Sequence, residues 1–181
     1  MTTTLDDKLK RIRFLISDVD GVLTDGAIGF DGEGRPFRSV SVRDVTGLTL
    51  WHLSEGRTAL VSGLGSKALE TVAATWKCAE CHMWVKNKRR VCEEIAANHG
   101  LSLEEIAYIG DDIIDVRAML LVGVGVAVAD ATPEAKAAAA FVTTAPGGKG
   151  ALRELIERVL RAQGRYEEAL ERYMAREDIP Q

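Results

Sequence analysis

Apolar residues in this chain come in short runs, separated by longer stretches in which apolar and charged positions mix. Ile12, Phe14, Leu15 and Ile16 make one run, and segments 57–61, 106–109 and 124–128 make three more. Continuous runs of this length suit strands buried on both faces, as in a parallel sheet. A shorter run at 140–142 predicts an edge strand. The intervening stretches predict helices at about 44–55, 66–76, 86–99, 112–121, 133–138 and 150–163. Pro133 fits a first helical turn, and Ser102 with Glu105 forms a capping-box pattern before the third run. Strand and helix alternate, which predicts an α/β fold around a parallel central sheet.

Residues 26–42 break the alternation. Two extended runs flank the turn Asp31-Gly32-Glu33-Gly34, the pattern of a β-hairpin. A two-stranded ribbon is marginal by itself, so it is either a plain surface hairpin or a flap stabilised by other copies of the chain. The stretch 165–181 is charged and either continues a helix or frays.

The length of 181 residues suits a single domain, 1–181, with a sizeable core. A net charge of −4 argues against a nucleic-acid partner. No apolar run approaches the roughly 20 residues of a membrane span. The start, Met1-Thr2-Thr3-Thr4-Leu5-Asp6-Asp7-Lys8, lacks the apolar stretch of a signal peptide, so a cytoplasmic location is expected. Cys78-Ala79-Glu80-Cys81-His82 looks like half a zinc site, but no second Cys-x-x-Cys completes it. With Cys92 the count is odd, which favours reduced, incidental thiols.

The candidate chemistry lies where two of the apolar runs end. Asp18 and Asp20 follow the first run, and Gly21 lets the chain turn sharply after them. Positions i and i+2 of an extended chain point the same way, so both carboxylates enter one pocket. Ligands of open α/β sheets bind at this end of the strands. A cation between the acids relieves their repulsion, and oxygen ligands favour Mg²⁺; a solvated turn or a calcium loop is the competing reading. The third run leads into Gly110-Asp111-Asp112-Ile113-Ile114-Asp115. A helix cap accounts for one of these acids but not for three. Two acid clusters at strand ends suggest one shared metal site.

Together these segments resemble the haloacid dehalogenase superfamily of phosphohydrolases. The match consists of Asp-Val-Asp-Gly-Val-Leu-Thr-Asp at 18–25, Ser62-Gly63 after the second run, Lys88 within Val-Lys-Asn-Lys-Arg-Arg, and Gly-Asp-Asp-x-x-Asp at 110–115. Over about residues 11–164 the likeness is closer to the cap-less branch that includes the 3-deoxy-D-manno-octulosonate 8-phosphate (Kdo-8-phosphate) phosphatases. It rests on Asp-Gly-Ala-Ile at 25–28, Ser-Val-Arg-Asp at 41–44 and Gly-Gly-Lys-Gly-Ala-Leu-Arg-Glu at 147–154. The resemblance implies a Rossmann-like fold with a small hairpin flap and no cap domain. It implies a magnesium-dependent phosphomonoester hydrolase acting on a sugar phosphate of lipopolysaccharide biosynthesis, assembled as a homotetramer through the flaps. It makes Asp18 the nucleophile and Asp20 the acid and base. Asp18, the backbone carbonyl of Asp20, and Asp111 would hold Mg²⁺, with Asp112 and Asp115 behind them. Ser62 and Lys88 would neutralise the phosphoryl group. Gly63, Arg43, Asp44 and Asn87 would line the substrate.

The chain departs from that branch where the substrate is read. Leu64 and Val72 stand where arginines are expected, Thr49 replaces a basic residue, and Trp84 falls near an expected glycine. Arginine is the usual bidentate partner of a carboxylate. Three readings follow: a phosphatase for Kdo-8-phosphate or a related keto-sugar acid, a phosphatase for a different small phosphate ester, and a weakly active assembly or regulatory subunit.

Overall fold

The apolar runs become the inner strands of a six-stranded sheet in which every pairing is parallel. The computed structural model describes residues 3–176. The chain opens with a short helix α1 (Leu5–Leu9), strand β1 (Phe14–Ser17), the hairpin β2 (Gly29–Phe30) and β3 (Pro36–Phe37), and helix α2 (Val42–Leu53). Next come β4 (Arg57–Val61), α3 (Lys67–Thr75), β5 (Glu80–His82) and α4 (Lys88–His99). The second half runs β6 (Ile106–Gly110), α5 (Ile113–Met119), β7 (Val124–Ala127), α6 (Pro133–Ala138), β8 (Phe141–Val142), α7 (Ala151–Ala162) and α8 (Tyr166–Met174). The strand order is β5-β4-β1-β6-β7-β8.

Every residue of β1, β6 and β7 is buried, because helices cover both faces of the central strands. That is the reason these strands read as uninterrupted apolar runs rather than alternating ones. The order of strands reverses at β1, between β4 and β6, so the crevice opens beyond the carboxyl ends of β1 and β6. Asp18 and Asp111 stand at those two ends.

Several elements differ from the sequence expectation. Strand β5 was hidden because it is a three-residue, half-buried edge with the polar sequence Glu-Cys-His. Helix α1 is only five residues long and is fixed by a capping box between Thr4 and Asp7. The helix expected at 44–55 starts earlier, since Ser41 accepts a hydrogen bond from the Arg43 amide. The charged tail forms α8, and Arg165 and Arg172 bond to the carbonyls of Ser54 and Leu53 at the end of α2. Cations there satisfy carbonyls that the helix leaves free. Residues 177–181 of the expected tail lie outside the described residues.

The hairpin exists but is short, pairing Gly29 with Phe37 and Phe30 with Pro36. It is the only inserted element between β1 and α2 among the described residues, and Phe30 and Phe37 are 68% and 58% exposed on it. All three cysteines are free; burial pushes the Cys78 and Cys92 thiols up to about 12, which disfavours the thiolate form. No helix among the described residues is long and apolar enough to cross a membrane.

Candidate active site

The ladder between β1 and β6 continues one residue past the strand, through the Asp18 amide to the Ile109 carbonyl at 3.0 Å. The Asp18 side chain is thereby held at the sheet's edge, almost fully buried. The chain then folds tightly. The Val19 carbonyl accepts from the amides of Val22, Leu23 and Thr24, and the Thr24 hydroxyl accepts from those of Gly21 and Gly26. Gly21 sits at φ 93°, and a side-chain carbon there would lie 2.0 Å from an Asp111 carboxylate oxygen. Glycine is required on both counts, by the left-handed backbone and by the approach of Asp111.

Lys88, the first residue of α4, joins the two clusters. Its Nζ lies 2.7 Å from Asp18 Oδ1 and 2.7 Å from Asp115 Oδ1, and its side chain is only 1% exposed. The neighbouring Lys86, Arg89 and Arg90 are exposed. Asp115 is fully buried and saturated. It also accepts from the Tyr108 hydroxyl at 2.6 Å and from the amides of Asp111 and Asp112 at 3.1 and 3.2 Å. Asp112 caps α5 through the Ile113 amide. Asp115 therefore positions the ammonium and the start of α5 at once.

The second acid of the first pair points elsewhere. Asp20 Oδ2 accepts from the Ser62 hydroxyl at 3.0 Å, and Ser62 Oγ in turn accepts from the Leu64 amide at 3.0 Å. Arg38, just past β3, brings Nε to 2.5 Å from Asp20 Oδ1, a charge contact in which the N–H is not aimed as a hydrogen bond. Thus Ser62 at the end of β4, Asp20 after β1 and the hairpin's Arg38 meet beside Asp18.

Of the four residues expected to line the substrate, two are used structurally. Asp44 is buried, and its two oxygens accept from the amides of Gly150 and Arg153, both at 3.0 Å. It caps α7, where the macrodipole and free amides favour an anion. Burial still raises its pKa. Asn87 caps α4 through the Arg90 amide at 3.2 Å. Gly63 is exposed next to Ser62, and Arg43 is exposed over Gly150. Sequence reasoning missed Arg38 and the contact of Tyr108 with Asp115. The basic Arg35-Pro36-Phe37-Arg38 segment of the hairpin was the only available signal for the former.

Carboxylate oxygens of Asp18, Asp111 and Asp115 all lie within 4.8 Å of one another. Crowding in a buried place resists ionisation. Burial, then the charge of Asp115, pushes the Asp111 carboxyl up to about 6. Burial and Asp115 push Asp18 well above the ordinary carboxylate range, against the pull of Lys88. Burial disfavours the charge on Lys88, but Asp18 and Asp115 outweigh it and raise its pKa. With Asp115 already engaged, Asp18 and Asp111 keep oxygen donors for a hard divalent cation, so the residues present fit Mg²⁺.

The sign of the pH effect follows. Folded Asp111 keeps a proton that the unfolded chain has lost between pH 3.8 and about 6, so its contribution to stability without metal falls as pH rises through that window. A cation displaces the same proton. The increase in unfolding temperature on adding Mg²⁺ is expected to be larger near pH 7.5 than near pH 5. Thermal unfolding with Mg²⁺ and with EDTA checks this; equal increases at both pH values would show that the acids are ionised throughout.

Residues 58–155 match the family model for haloacid dehalogenase-like hydrolases. The chain is 37% identical over 161 residues to the 3-deoxy-D-manno-octulosonate 8-phosphate phosphatase of Haemophilus influenzae, covering 89% of each chain. The chain belongs to the haloacid dehalogenase-like hydrolases. Solved structures of this superfamily superpose closely on it. The Yersinia pestis 3-deoxy-D-manno-octulosonate 8-phosphate phosphatase is 37% identical with a TM-score of 0.87, covering 90% of this chain and 88% of its own. The Moraxella catarrhalis enzyme of the same name is 29% identical with a TM-score of 0.90, covering 93% of this chain and 97% of its own. It was solved in complex with magnesium ion, phosphate ion and KDO.

Proposed function

We propose that this hydrolase is a magnesium-dependent phosphatase acting on the phosphomonoester of a keto-deoxy sugar acid, Kdo-8-phosphate or a close relative. The observation that carries the reading is the pair of acids after β1. Asp18 is clamped by Lys88 at the convergence with Asp111, while Asp20 is held apart by Ser62 and Arg38.

The two acids do different work because their surroundings differ. Asp18, fixed in rotation by Lys88, attacks phosphorus to form an aspartyl-phosphate as the bond to the sugar oxygen breaks. Asp20 gives that oxygen a proton, and later takes one from the water that attacks the aspartyl-phosphate and releases inorganic phosphate. The Ser62 hydroxyl and the Lys88 ammonium face the transferring group and stabilise its charge. Held by Asp18, the Asp20 carbonyl and Asp111, Mg²⁺ would neutralise the phosphoryl oxygens. The intact set of acids, Ser62 and Lys88 speaks against a purely architectural subunit. The apolar surface of the hairpin, with Arg38 at its base reaching Asp20, supports assembly of four copies through the hairpins, which ties closure of the site to oligomerisation.

The uncharged rim residue Leu64 favours the second reading, an ester with fewer negative charges. One assay separates them: phosphate release from Kdo-8-phosphate and from glucose 6-phosphate, with Mg²⁺, with excess EDTA, and with Mg²⁺ restored. Release from Kdo-8-phosphate is expected to dominate, to vanish in EDTA and to return with Mg²⁺, in a preparation that sediments as a tetramer. Undiminished release in EDTA would overturn the mechanism; preference for glucose 6-phosphate would move the assignment to the neutral ester.

A further inference from the structure

The loops after β4 and β5 are zipped together beside the phosphate site. The Ser62 amide donates to the His82 carbonyl at 2.9 Å, and the Val85 amide donates to the Ser62 carbonyl at 3.0 Å. Between those bonds Trp84 takes φ 59°, a left-handed conformation unusual for a bulky residue. The conformation lays the indole on the Ser62–Gly65 loop. A side-chain carbon on Gly65 would lie 2.6 Å from Trp84 Nε1, so the absence of one at Gly65 is what lets the ring rest there. Despite that contact Trp84 is 66% exposed. Leu64 is 39% exposed, and Ile114, whose Cδ1 approaches Gly63, is 59% exposed.

An unfavourable backbone persists only where the surroundings impose it, and such positions cluster at functional sites. Here it turns a large flat ring outward, four residues before Lys88 and against the loop whose Ser62 holds Asp20. Leu64 and Ile114 offer hydrocarbon at that loop, where the resembling branch would place an arginine at position 64. We infer that Trp84, seated on Gly65 of the loop that also carries Leu64 and meets Ile114 at Gly63, is a specificity-determining platform on which the carbon face of the substrate's sugar ring packs. The ring face of a sugar is its least hydrated surface, and an indole provides a large rigid partner at little entropic cost. The inference rests on the phosphatase reading. It also gives Leu64 a use, since an apolar contact with the ring needs no arginine at that position.

The test compares kcat/KM for a ring-bearing ester, Kdo-8-phosphate or p-nitrophenyl phosphate, with that for acyclic glycerol phosphate, in Mg²⁺. Trp84→Gly suits the left-handed backbone, so its unfolding temperature is expected to equal or exceed that of the wild type. The ring-to-acyclic ratio is expected to fall by about tenfold or more, through KM. Trp84→Phe should retain most of the ratio, and Gly65→Ala, which displaces the indole without removing it, should lose it as Trp84→Gly does. Equal losses on both classes of ester, or a loss that accompanies dissociation of the oligomer, would show that the ring serves the architecture and would overturn the inference. Failure of the wild type to release phosphate from any ester would instead sink the parent reading.

Discussion

Asp18→Asn is expected to lose phosphate release by roughly a thousandfold or more and to unfold in EDTA at no lower temperature than the wild type. An amide is a poor nucleophile and a weaker metal ligand, which accounts for the first effect. The second follows from the electrostatics. Asp18 is buried beside Asp115, and its ionised form is disfavoured despite Lys88. Asparagine removes that penalty and leaves the Lys88–Asp115 pair in place at 2.7 Å. Because the folded pKa of Asp18 lies above its unfolded value, the folded wild type holds an extra proton above the ordinary carboxylate range, and its stability falls as pH rises through that window. The mutant escapes this, so the difference in unfolding temperature between the two should widen from pH 5 towards pH 8. The Mg²⁺-induced rise in unfolding temperature should shrink with loss of a ligand. Activity within tenfold of the wild type would refute the nucleophile assignment, and a large fall in stability would show that the carboxylate holds the fold together.

The parts of this site legible in the sequence are those set by local pattern. A parallel strand covered on both faces is largely apolar, so β1, β4, β6 and β7 announce themselves, and acids placed just past the ends of β1 and β6 fall at the mouth of the sheet. Strand β5 did not, because an edge strand needs no apolar face and its Glu-Cys-His sequence resembles a turn. Contacts made across long stretches of chain were hidden in the same way. Asp44 next to Arg43 reads as a substrate-facing pair, yet its carboxylate caps a helix that begins more than a hundred residues later. Arg38 sits in a segment whose own pattern specifies only a hairpin, and its approach to Asp20 depends on where that hairpin lies relative to the loop after β1. Lys88 is surrounded in sequence by exposed basic residues, and only the packing of α4 beside α5 drives that one side chain inward. Motif order located the lysine; its burial and its two anionic partners are tertiary facts.

Those two partners make Lys88→Met the most damaging single change expected after Asp18→Asn. Methionine is one atom shorter than lysine but nearly equal in volume, so the mutation removes charge with little cavity. What remains is Asp18 and Asp115 facing each other in a buried place with no ammonium between them. Breaking a buried ion pair on one side typically costs about 3–5 kcal/mol, and urea unfolding in EDTA should register a loss of that size near pH 7.5. The loss should diminish as pH falls into the range where the carboxyls take up protons, because protonation removes the repulsion that the lysine had offset. Phosphate release should drop by about two to four orders of magnitude, since the mutant lacks the charge that, on the proposed mechanism, steadies both Asp18 and the phosphoryl oxygens. A second substitution separates the two roles. Asp115→Asn added to Lys88→Met removes the uncompensated anion and should recover much of the stability, a coupling that a double-mutant cycle measures directly. Turnover should stay low, because no cation returns to the phosphoryl group. A double mutant that regained activity along with stability would mean that Lys88 only neutralises Asp115, and that the charge on the transferring group is met by the metal and Ser62 alone.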